Sequence, residues 1–207
     1  LEGIYFYNFT TPEFNVNICQ IPFWSLTVYY FWKCFENDKI QNWALLGLFA
    51  ALGVLSKYLF VYLLVGMTVF FIFKIKKNRK FNYNFFFSIV VFLLVLSPHF
   101  MWLIDNDFKT FVYGLKRTSL DNSNFLNHLI YPLKFTFKQI GILIPFFVLL
   151  SLIISRFKFK IKLSDEKLVY LISTSLIPIL LMLLTSLVFG INIRTMWMTP
   201  FYLFFGL

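Results

Sequence analysis

Residues 43–73 read WALLGLFAALGVLSKYLFVYLLVGMTVFFIF, a run of 31 almost uniformly apolar residues with one charge, Lys57, near the middle. As a single helix the run would be roughly 47 Å long, against a bilayer hydrocarbon layer of about 30 Å. It would also hold Lys57 at mid-bilayer, at a cost of about 2.5–3.5 kcal/mol or more. Two short helices, 43–56 and 58–73, turning back at Ser56-Lys57-Tyr58 remove both difficulties. The ammonium group then sits at a membrane surface or in a wet cavity. Gly47, Ala51 and Gly53 give the first of these helices small surfaces for close packing.

The rest of the chain extends this reading. Of its residues 59% are hydrophobic and only 14% charged, where soluble domains carry about 25% charged residues. The fold class expected is an all-α, polytopic transmembrane bundle of about seven helices in a single domain, near 14–35, 43–56, 58–73, 81–103, 139–155, 168–189 and from Met196 onward. Cys19 and Cys34 fall on one helix about 22 Å apart by helical rise, too far to pair. The chain opens at Leu1 without Met and stops inside an apolar run, so it reads as a portion of a longer protein lacking an N-terminal and a C-terminal part.

Charge orients the bundle. KIKKNRK at 74–80 carries five cations, and the links 34–42 and 156–167 carry seven more: Lys33 at the edge of the first, Lys39, Arg156, Lys158, Lys160, Lys162 and Lys167. Folded as a hairpin, 43–73 puts these 12 cations and only four acids on one side, leaving seven cations and five acids on the other. By the excess of Lys and Arg in cytoplasmic loops, the first side is cytoplasmic. The exoplasmic side receives 1–13, 56–58, 104–138 and 190–195. Because the basic residues flank spans, the net charge of +10 points to membrane topology and not to a nucleic-acid partner.

The candidates for chemistry lie in these exoplasmic segments. The loop 104–138 is too long for a passive connection, and its part from Phe125 to Lys138 alternates apolar and basic groups as a helix lying on the interface would. His99 and Trp102 precede it; it contains Asp105, Asp107, Tyr113, Lys116 and Arg117. Cations among aromatics suit a lipid phosphate. Plainer roles stand beside these: an interfacial histidine for His99, caps for Asp105 and Asp107, unspecific headgroup contacts for Lys116 and Arg117. His99 and His128 show no metal-ligand spacing. Asn15, Asn17 and Gln20 open the first long helix and should face a cavity. No Walker loop, GxSxG, CxxC or HExxH occurs, which leaves soluble nucleotide and hydrolase chemistry unsupported.

The order TTPEF, WALLGLFAALGVLSKY, SPHFMWLIDNDFKTFVYGLKR and RTMWMTPFY resembles the membrane glycosyltransferases of the protein O-mannosyltransferase and aminoarabinose-transferase type. These have the GT-C fold and take sugars from polyprenyl-phosphate donors. The resemblance matches the glycine-rich helix ending in Ser-Lys to Gly47 through Lys57, the loop motif to Trp102, Asp107-Phe108, Phe111, Tyr113 and Arg117, and the later loop to Arg194, Trp197 and Pro200. Glu13 stands where the family commonly has Asp. It implies Lys57, Arg117, Lys116 and Arg194 as donor-phosphate contacts, with Tyr58, His99, Trp102, Asp105, Asp107, Tyr113 and Trp197 lining the substrate region. Glu13 would orient the acceptor or hold a divalent cation, the one cofactor left open, with no metal ligands assigned.

The expected catalytic base lies in the family's first exoplasmic loop, upstream of Leu1, so this stretch alone would be inactive. The resemblance implies a polyprenyl-phosphate sugar, membrane lipids and a glycan, lipid or protein acceptor as partners, and a place in a bacterial inner membrane with the site facing the periplasm. A transporter or flippase, and a non-catalytic assembly subunit, are the competing readings.

Overall fold

The computed structural model describes residues 4–8, 14–78, 81–118, 124–154 and 165–207. A short α1 (Tyr5–Asn8) precedes α2 (Val16–Glu36), α3 (Ile40–Ser56) and, after a single 3-10 turn at Tyr58–Phe60, α4 (Val61–Asn78). There follow α5 (Asn84–Asp105), α6 (Lys109–Lys116), α7 (Asn127–Ile154), and α8 (Glu166–Leu171), which passes through a wide π turn (Ile172–Leu176) into α9 (Ile177–Phe189). A 3-10 helix, Thr195–Tyr202, closes the order. Among the described residues there is no strand, and the all-α bundle agrees with the sequence reading.

The 43–73 run folds as the hairpin, with α3 ending and α4 beginning around Lys57. α3 packs between α2 and α5, while α4 packs on α9 and the π turn. Two glycines allow these approaches: a Cβ on Gly47 would stand 2.3 Å from the Ser88 carbonyl oxygen of α5, and one on Gly66 would stand 2.2 Å from that of Ser173 in the π turn. Between α2, α3, α4 and α5 lies an apolar cavity of about 170 Å³.

Four described helical stretches are long and apolar enough to cross a membrane: Tyr58–Asn78, Asn84–Asp105, Asn127–Leu152 and Glu166–Phe189. α3 is apolar but shorter. The expectation of about seven membrane helices is therefore corrected at two places. α2 has the length, but residues such as Gln20 and Lys33 keep its hydropathy below that of these four. The segment from Met196 onward forms the 3-10 helix, buried from Met198 to Tyr202. Its Phe201 packs on Trp24, its Tyr202 stacks on Phe6, and the Tyr202 hydroxyl donates to Gln139 Oε1 at 2.6 Å.

A third correction concerns the long loop. α7 begins at Asn127, not near 139, so the expected interfacial helix is the first part of a long continuous one. Lys134 and Lys138 lie four residues apart on its exposed face while Phe135 and Gln139 turn inward, so the apolar-basic alternation was the period of that helix.

The two ends of the bundle differ in chemistry. At one end Glu166 pairs with Lys74 (2.5 Å) and Lys77 (2.9 Å), and Asp38 accepts from Trp43 Nε1 (2.7 Å) and Asn84 Nδ2 (2.9 Å). This ties together the α2–α3 link and the α4, α5 and α8 ends. Phe31, Phe35, Phe70 and Tyr170 pack edge-to-face beside it, a geometry that adds about 0.5–1.5 kcal/mol per pair beyond burial. The turn at Lys57 lies at the opposite end.

Candidate functional site

The backbone at Lys57 is fixed before its side chain is considered. Its N–H donates to the Gly53 carbonyl (3.2 Å), closing α3, and its carbonyl accepts from Phe60 N (3.0 Å) and Gln20 Nε2 (3.0 Å). The residue between them is extended (φ −167°, ψ 132°), so the chain turns without strain. Extension sends the side chain toward α2, where Nζ donates to Asn17 Oδ1 at 2.5 Å and lies 5.0 Å from the centre of the Trp197 ring.

Asn17 is held in turn by the helix start. Asn15 Oδ1 caps α2 by accepting from Asn17 N (2.9 Å) and Ile18 N, which satisfies donors that a helix N-terminus leaves free. The amide of Asn17 is buried. Among the described residues nothing in contact with Lys57 cancels its charge: an amide oxygen and an indole face hold it, and Arg117 adds charge of the same sign. Burial first, and the Arg117 charge second, push the Lys57 ammonium down to about 7 from the ordinary 10.5. A cation so placed has its field open to an incoming anion.

Around this cation a second group comes from α5 and α6. The Tyr58 hydroxyl meets His99 Nε2 and Thr110 Oγ1, each at 2.8 Å, and its ring lies 6.4 Å from Phe111. His99 stacks on Trp102 with ring centres 5.9 Å apart. The reversal from α5 to α6 passes through Asp107 and Phe108, both with φ of 52°. A bulky residue in the left-handed region costs about 1 kcal/mol or more, and here Phe108 N is anchored to the Leu103 carbonyl at 2.9 Å.

Asp105 and Asp107 are exposed, and α6 starts after Phe108 without a side-chain cap, so neither acid serves as the cap considered for it. Arg117 lies over the Tyr113 ring (5.4 Å), and the next residue, Thr118, accepts at its carbonyl from Asn192 N (3.0 Å). That bond joins the end of α6 to the 190–195 link, which Gly190 (φ +60°) opens.

Of the residues singled out in the sequence, Lys57 and Trp197 are in contact, Arg117 acts on Lys57 through its charge, and Tyr58, His99 and Trp102 form a connected set beside them. Lys116, Arg194, Asp105 and Asp107 are exposed and do not touch Lys57. Glu13 lies outside the described residues. Asn17 and Thr110 were not counted as site residues; the spacing of Asn17 and Gln20 on one face of α2 was the available signal. Deeper on that face, Gln20 Oε1, Trp24 Nε1 and Thr27 Oγ1 are buried with no hydrogen-bond partner among the described residues. Among the described residues no three His, Cys, Asp or Glu side chains gather to hold a metal ion.

Residues 1–102 match the family model described as dolichyl-phosphate-mannose-protein mannosyltransferase. The match covers Lys57, Tyr58, His99 and Trp102 and supports the resemblance to GT-C membrane glycosyltransferases; it ends before α6. No curated protein and no solved structure matches the chain.

Proposed function

We propose that this chain, which resembles the dolichyl-phosphate-mannose-protein mannosyltransferases over residues 1–102, acts in an integral-membrane glycosyltransferase that moves a sugar from a polyprenyl-phosphate donor to a glycan, lipid or protein acceptor. The observation that carries the reading is Lys57: a half-buried ammonium at the tip of a helical hairpin, held among the described residues by neutral groups, with Arg117 adding charge of the same sign.

In this reaction an acceptor hydroxyl attacks the anomeric carbon as the carbon–oxygen bond to phosphate breaks, so the phosphate leaves with the bonding pair and the sugar inverts. The proton passes to a carboxylate acting as general base. Charge develops on the phosphate as it leaves, and Lys57 with Arg117 would stabilise that charge. Lys116 and Arg194, exposed at the same end, would draw the headgroup in. Tyr58, His99 and Trp102 would line the sugar side, with Tyr113, Asp105 and Asp107 at the mouth. Glu13 would orient the acceptor or hold a divalent cation. With the basic links on the cytoplasmic side, the Lys57 end faces outward, toward the periplasm if the membrane is a bacterial inner one.

Lys57→Met in the complete enzyme should cut transfer from a polyprenyl-phosphate sugar at least tenfold, about 1.4 kcal/mol of barrier. Unchanged turnover would remove Lys57 from the site.

A further inference from the structure

A lysine as enclosed as Lys57 ordinarily meets a carboxylate, because an unpaired buried charge is costly. Here the groups facing it are different. α2 supplies Asn17 and Gln20, both neutral amides; the closing 3-10 helix supplies the Trp197 ring, with Arg194 exposed at its start; the end of α6 supplies Arg117. Tyr58 and His99, titratable groups beside the turn, are bonded to each other. Among the described residues no acid pairs with Lys57.

The Asn17 amide oxygen accepts from the ammonium and so fixes its position, but unlike a carboxylate it leaves the charge in place. Asn and Asp are nearly the same in shape. The choice of the amide at 17 therefore separates holding Lys57 from neutralising it.

We propose that Asn17 is a positioning residue whose neutrality keeps Lys57 available to the phosphate of a lipid, so that the arriving phosphate is the counter-ion the fold withholds. This rests on the donor-phosphate reading above. It deepens that reading by assigning the discrimination between a charged and an uncharged isoprenoid to one uncharged side chain.

The test titrates the purified protein with farnesyl phosphate, using farnesol as the uncharged control, for wild type, Asn17→Ala and Asn17→Asp. Asn17→Asp should weaken farnesyl phosphate about tenfold and leave farnesol unchanged, while Asn17→Ala should cost about threefold or less because the charge survives. A merely structural role ranks them the other way, since Asp keeps the acceptor and Ala loses it; that order overturns the proposal. A wild type that does not prefer farnesyl phosphate to farnesol removes the phosphate reading and this inference with it.

If Asn17→Asp does not fold, wild-type calorimetry near pH 8 in buffers of different ionisation heat decides. A lysine without a counter-ion takes up a proton as the phosphate binds, and farnesol causes no uptake. Preference for farnesyl phosphate without uptake overturns the role given to Asn17 alone.

Discussion

Lys57 carries a pH dependence whose two signs oppose each other. The folded protein releases its proton near 7 and the unfolded chain near 10.5. Between those values the unfolded chain binds the extra proton, so stability rises with pH through that window. Phosphate binding runs the other way, because only the ammonium attracts it: affinity should fall as pH rises above about 7. Thermal unfolding and farnesyl phosphate titration across pH 6.5–9 measure both, and in Lys57→Met both slopes should flatten. Parallel slopes, or slopes that survive the substitution, would assign the titration to another group. The importance of Lys57 was legible in the sequence, since a lone charge in an apolar run demands a reason. Its cradle was not. Asn17 announced a polar helix face, but only the fold shows which lysine 40 positions away it meets.

At the scale of elements, close approach decides which helices can pack. A methyl group on Gly66 would collide with a backbone carbonyl of the π turn, which cannot swing aside as a side chain does. Gly66→Ala should destabilise by about 1–3 kcal/mol and lower the unfolding temperature in detergent. Gly141→Ala in α7, where a Cβ meets nothing within 4 Å, should be neutral or stabilising by about 0.5–1 kcal/mol. Equal effects at the two sites would mean that the α4 contact is not tight. The hairpin was readable from length against bilayer thickness. The start of α7 and the closing 3-10 helix were not, because both depend on partners: Lys134 and Lys138 keep to one face of a helix whose other face packs inward, and Tyr202 is held by Gln139 and Phe6.

For the whole molecule, the basic links and the Lys57 turn lie at opposite ends of the hairpin. α5, with only Ser88 buried, presents Leu93, Leu94, Phe100 and Met101 outward, as a lipid-facing helix does. With Cys19 and Cys34 replaced by Ser, a cysteine at Ser56 should react with an impermeant maleimide in intact cells. One at Asn78 should react only after permeabilisation. The reverse pattern would turn the proposed orientation over. The most direct test of the central claim is phosphorus NMR of a polyprenyl phosphate in nanodiscs with the complete protein. The wild type should shift and broaden the phosphate resonance, and Lys57→Met, correctly folded, should leave it as in empty nanodiscs. The same perturbation from both proteins would contradict the account.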